Sequence, residues 1–217
     1  FPCLSWNAEA YLAVAAIEPA LVSLGSVHPY ARDVAGRLAR QKELGARGIK
    51  VHPAAQLVAP DNRRAMKLYR LCADLDLPVL WHCGPVGIEP RLARRLCQLK
   101  RYRPAVRENP HTVFILGHSG ALQMEMALEL ALHYPNVYLD VSNQSLTSVR
   151  RIIAEAPADR VLFGSDWPFY HQAVALAKVL IATDGCPPAR RRVLWENAAR
   201  LFHLDEPKEG MSRVSEN

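Results

Sequence analysis

Residues 78–84 read PVLWHCG, an apolar run that closes on a histidine, His82, instead of on an ordinary turn residue. The same pattern recurs in TVFILGHSG (112–120), which ends at His118, and in RVLFGSDWPF (160–169), which ends at Asp166. Three strands whose tips carry His, His and Asp converge on one chemical centre, and that arrangement points to an active site.

Working outward, each apolar run is followed by Gly, Pro or Ser turn signals, then by a stretch of helical period, then by the next run. Six runs fit this unit: Ala20 to Val27, Gly48 to His52, Pro78 to His82, Thr112 to His118, Val137 to Ser142 and Arg160 to Asp166. The alternation is that of a parallel sheet with crossover helices. Between the runs, Val34 with Leu38, Leu92 with Leu96 and Leu99, and Val149 with Ile152 and Ile153 fall on single helical faces. Asp61 after Pro60 is expected to cap a helix whose inner face holds Met66, Tyr69 and Cys72. A complete eight-stranded barrel takes about 250 residues, and six units fill almost all of the 217 present, which start at Phe1. The expectation is an α/β TIM (β/α)8 barrel lacking its first two βα units. Residues 1–204 form the single partial domain and 205–217 a polar, disordered tail.

Half of the residues are hydrophobic, no apolar run reaches membrane-spanning length, and no signal peptide is visible. Five cysteines without CxxC spacing argue against a disulfide framework and fit a reducing, cytoplasmic setting. Cys3, Cys72, Cys97 and Cys186 read as small buried or incidental residues. The formal net charge is +6, and Arg91 to Arg107 carries seven Lys or Arg and no acid, with a second run at Arg190 to Arg192. A solvated helix face is the ordinary reading of such a run. No aromatic interleaving supports nucleic-acid binding, while attraction of an anionic substrate is open because the run follows the His82 tip.

GIKVHP (48–53), VLWHCG (79–84), ILGHSG (115–120), LFGSDWPF (162–169) and ENAARLF (196–202) resemble the successive signatures of the amidohydrolase-related, metal-dependent hydrolases of the TIM-barrel fold. The resemblance runs from Leu21 to Leu204, and its most specific pieces are GSDWPF and ENAARLF. It implies that His82 is a ligand of a divalent metal, zinc or else manganese. It implies further that His118 binds metal or acts as acid/base beside it, and that Asp166 binds the metal and accepts a proton from water. The wider superfamily sometimes has a bridging lysine where Lys50 stands. The family's first strand carries a His-x-His pair, and this sequence has none. Catalytic zinc takes three protein ligands and a water, so the chain as given is expected to bind metal weakly and a longer parent well. The resemblance also allows a homodimer.

Imidazole and carboxylate suit zinc, which can lower the pKa of a bound water from about 15.7 toward about 7. With Asp166 shuttling the proton and His118 polarising a carbonyl or holding an oxyanion, the expected reaction is hydrolysis of an amide, ester or lactone. Taken singly, each residue has a plainer use. A histidine at a strand end is more often a core or loop residue, and Asp166 after Gly164 and Ser165 suits a turn. Barrel enzymes place their chemistry at the carboxyl ends of strands, and all three residues sit there. Lys50 and His52 share one strand face and are candidates for binding substrate, as is Trp167 as a pocket wall. Trp81 and Cys83 point away from His82 if the strand is regular.

The leading expectation is a metal-dependent hydrolase cutting a C–N or C–O bond of a small carbonyl compound. The alternative is a nonoxidative decarboxylase of a carboxylated aromatic on the same site, for which a pocket arginine would be diagnostic. A metal-independent lactonase is more distant. From another class, a noncatalytic barrel remnant would act as an interaction scaffold.

Overall fold

A computed structural model describes residues 8–18 and 20–204; the expected tail lies outside the described residues. Five parallel strands, β1 (Ile49–Val51), β2 (Val79–His82), β3 (Phe114–Gly117), β4 (Val137–Asp140) and β5 (Val161–Leu162), pair in sequence order. Helices cross over between them, as parallel pairing requires. The architecture is the arc of a TIM barrel that the alternation predicts.

Register fixes the faces. Val79, Trp81, Phe114, Leu116, Val137, Leu139 and Val161 alternate toward the helices and are buried in one continuous hydrophobic cluster. Tyr69 packs edge-on against both Trp81 and Phe114, and Trp81 against Tyr102, with ring centroids 5.0–5.9 Å apart. On the opposite, inner face, Lys50 pairs in register with Leu80, and Leu80 with Ile115. Lys50, Leu80, Ile115 and Leu162 all line a cavity of about 260 Å³ at the inside of the arc.

Three expectations are corrected. Ala20–Val27 is not a strand: Gly25 alone makes a parallel bridge, to Ile49. Gln41 takes both backbone groups of the next residue, accepting from Ser26 N at 2.8 Å and donating to Ser26 O at 3.0 Å, which ends the ladder. The cap of the helix Arg63–Asp74 is Asn62, whose side chain accepts from Arg64 N. Asp61 instead receives Arg101 Nη1 at 3.0 Å, while Met66, Tyr69 and Cys72 are buried as expected. Leu92 is 58% exposed and Leu99 is buried, because the helix Arg91–Leu96 stops and a separate 3-10 turn at Leu99–Arg101 breaks the shared face.

The basic run is not bare. Arg94, Arg101, Arg103 and Arg107 each pair with a carboxylate, from Glu89, Asp61, Glu129 and Glu108. Among the described residues no helix is long and apolar enough to cross a membrane. Cys72, Cys83 and Cys97 are buried free thiols and Cys186 is exposed; Cys3 lies outside the described residues.

Candidate active site

His82 is the last residue of β2 and lies on the inner face by strand alternation, with Trp81 and Cys83 buried on the other side. Its register partner is Gly117, where a side chain would come within 2.5 Å of the Trp81 carbonyl oxygen. The next residue, His118, would face outward if β3 continued. It instead adopts φ 57°, in the left-handed region, followed by Ser119 at 42°, Gly120 at 79° and Ala121 at 48°. The reversal swings the His118 ring against His82, with Nε2 3.1 Å from His82 Nδ1 and ring centroids 4.9 Å apart.

Three non-glycine residues at positive φ within four positions are costly, and specific bonds hold them. The Asp140 carboxylate accepts from His118 N at 3.0 Å, Ser119 Oγ donates to Asp140 O at 2.8 Å, and Gln144 Nε2 donates to His118 O at 2.5 Å and Ala121 O at 3.1 Å. The His118 ring is engaged from behind as well, with Nδ1 2.8 Å from Ser142 Oγ. Asp140, Ser142 and Gln144 are thus site residues that the sequence reading passed over. The signal was present in the polar end of the fifth run, where Asp140 and Ser142 share the inner face.

Asp166 lies four residues past β5 at φ 56° and accepts from Asn143 Nδ2 at 2.6 Å. Lys50, His118 and Asp166 line the 260 Å³ cavity together with Asp140 and Ser142. His118 also lines a second cavity of about 530 Å³, walled by Val86, Leu122, Asn143, Ser145 and Tyr170. His52 caps the short helix Pro53–Gln56, accepting from Ala55 N, and its ring stacks on His82 at 4.1 Å and 6°. It backs His82 and lines neither of these two cavities. Trp167 is 64% exposed and lines neither cavity; Tyr170 does so instead.

Burial, the nearby Lys50 charge and the neighbouring rings hold these imidazoles neutral. Burial first, then Lys50 and His118, lower His52 to about 4. Burial first, then His52, His118 and Lys50, lower His82 to about 2. His118 is also lowered, chiefly by burial, against the opposing pull of Asp140 and Asp166.

The donor set for a divalent ion is partial. His82 and Asp166 offer an imidazole and a carboxylate. Among the described residues, however, no group of three or more His, Cys, Asp or Glu side chains stands close enough to hold a metal. Catalytic zinc takes three protein ligands. By themselves the described residues do not complete a three-ligand site.

The amidohydrolase family model matches residues 5–204. No curated protein sequence is significantly similar to the chain. Among solved structures, it is similar to an uncharacterised TIM-barrel protein from Bordetella bronchiseptica (22% identity, 91% of this chain and 72% of that one, TM-score 0.76). It is also similar to 2,6-dihydroxybenzoate decarboxylase from Rhizobium (21% identity, 93% and 77%, TM-score 0.72). A third is a dihydroxybenzoic acid decarboxylase from Polaromonas, solved with bound manganese and the inhibitor 2-nitroresorcinol (22% identity, 94% and 76%, TM-score 0.71). At these identities the structures speak for the fold. The family match spans all five strands and each of the polar strand tips, and on that ground the chain belongs to the amidohydrolase family.

Proposed function

We propose that the chain carries the inner-face acid–base group of a metal-dependent hydrolase acting on a C–N or C–O bond of a small carbonyl compound. The observation that carries this reading is the convergence of Lys50 from within β1, His118 from the end of β3 and Asp166 from beyond β5 on one cavity beside His82. In this reading Asp166 takes a proton from an attacking water, His118 passes a proton onward, and Lys50 stabilises negative charge developing on the carbonyl oxygen. A resident zinc or manganese ion belongs to the proposal as the source of an activated water. His82 and Asp166 would be two of its ligands, and further ligands are needed beyond the described residues.

Decarboxylation of a carboxylated aromatic is the second reading, favoured by Lys50 as a cation able to hold a carboxylate beside a proton-carrying histidine. Neither cavity at His118 is lined by an arginine among the described residues, so the bidentate clamp that would mark that reaction is not found.

The test is turnover of amides, esters, lactones and carboxylated aromatics by the purified chain with Zn²⁺ or Mn²⁺ added, with bound metal read by elemental analysis. Hydrolysis that falls by about 10²–10⁴-fold in Asp166→Asn and in His118→Gln is expected. Carbon dioxide release with the same dependence would move the assignment to the decarboxylase. Absence of any turnover in metal-loaded protein would leave a noncatalytic scaffold.

A further inference from the structure

Asp140, Ser142, His118 and His82 form an unbroken chain of hydrogen bonds whose proton positions follow from donor and acceptor chemistry. Asp140 Oδ1 accepts from Ser142 N at 3.0 Å, and Oδ2 accepts from His118 N at 3.0 Å and faces Ser142 Oγ at 2.5 Å. An ionised carboxylate has no proton to give, so the hydroxyl proton of Ser142 lies toward Asp140. Only lone pairs of Ser142 Oγ then remain for His118 Nδ1, 2.8 Å away. We propose that Asp140, acting through Ser142, fixes the tautomer of His118 and through it that of His82, so that both rings carry their proton on Nδ1 and leave Nε2 bare.

The direction propagates because each ring has one donor and one acceptor when neutral. With its proton on Nδ1, His118 offers a lone pair at Nε2, and the contact to His82 Nδ1 at 3.1 Å is a hydrogen bond only if His82 is the donor there. His82 Nε2 is then the bare nitrogen at the end of the chain. Free imidazole side chains favour the proton on Nε2, so the arrangement reverses the default and has to be imposed by the surroundings. His118 is 6% exposed and Ser142 3% exposed, which keeps water from competing for Nδ1. Gly164 secures the anchor from above: a Cβ there would stand 2.0 Å from Asp140 Oδ1. Asp140 and Ser142 are therefore positioning residues. The proton assignment stands on this geometry, and its use in catalysis rests on the hydrolase reading.

Long-range ¹⁵N correlation spectra of the full chain, with histidines ¹⁵N-labelled and a chelator present at neutral pH, test the proposal. Wild-type His118 and His82 are expected to show a protonated Nδ1 and an unprotonated Nε2. Ser142→Ala is expected to shift His118 toward the Nε2-protonated tautomer while His28 and His133 keep their signals, and Ser142→Thr, which retains the hydroxyl, to preserve the wild-type pattern. A wild-type His118 protonated on Nε2 or on both nitrogens overturns the proposal, as does a folded Ser142→Ala protein with unchanged tautomers. The wild-type spectrum decides by itself if the alanine variant does not fold. Tautomers as assigned in a protein without turnover would sink the hydrolase reading alone.

Discussion

At Gly164 the space that a side chain would fill is taken by a carboxylate. The GSD of residues 164–166 reads as a turn followed by a candidate ligand, yet the glycine serves Asp140 on the neighbouring strand. Gly164→Ala is therefore expected to destabilise the protein by about 1–3 kcal/mol, the range for overpacking, and to loosen the bonds from Asp140 to His118 N and Ser142. A denaturant titration gives the first effect, and amide exchange at His118 the second. His118 itself shows where local reading stops. Its identity and place at a strand end are plain in GHSG, but its inward aim depends on a left-handed backbone that Gly120 adopts freely and His118 and Ser119 do not. Asp140 and Gln144 hold that backbone from more than twenty residues away in sequence.

The elements were legible as a succession of apolar runs, and four of the six runs contain strands of three or four paired residues. The last is shorter than it reads. Only Val161 and Leu162 pair with β4, and the following Phe163 N donates to Val193 O at 3.0 Å. Val193 lies in a π-turn, Arg192–Glu196, a geometry that redirects carbonyls from the regular helical ladder. In the next turn Asn197, fully buried, donates to Ala158 O at 2.9 Å and Val161 O at 2.8 Å. Val193 of the π-turn and Asn197 of the ENAARLF segment thus clamp the two ends of a two-residue strand and so set where Asp166 emerges. Asn197→Ala is expected to cost about 1–3 kcal/mol by leaving buried carbonyls unpaired. Faster hydrogen exchange at Phe163 than at Leu116 would show that the loss is local to β5, and equal acceleration at both would count against the clamp.

Across the whole molecule, stability is tied to the charge state of the histidine cluster. His52 and His82 are held at about 4 and about 2 in the fold, and His118 is also lowered, whereas unfolded histidines titrate near 6.5. Below about pH 6.5 the unfolded chain binds more protons than the folded one, so the slope of stability with pH is positive. The contribution is complete above that value and is lost as pH falls, through about 4 for His52 and further for His82. The urea midpoint of metal-free protein is expected to drop steadily from pH 7 to pH 4, with each histidine contributing at most about 1.4 kcal/mol per pH unit. His82→Gln should flatten that slope; an unchanged slope would show that the ring is not held neutral.

The parallel βα order, the shared face of Lys50 and His52, the opposite aim of His82 against Trp81 and Cys83, and the candidacy of His82, His118 and Asp166 were readable in the chain alone. These follow from local periodicity and from polar residues standing where apolar runs end. Tertiary structure alone decided that Gln41 ends the first run at a single bridge, that His52 stacks behind His82, that Tyr170 rather than Trp167 walls a cavity, and that Asp140 and Ser142 govern His118. Each of these is a contact between segments 15 or more residues apart, and the strength of such a contact depends on distances that packing sets and that no local pattern encodes.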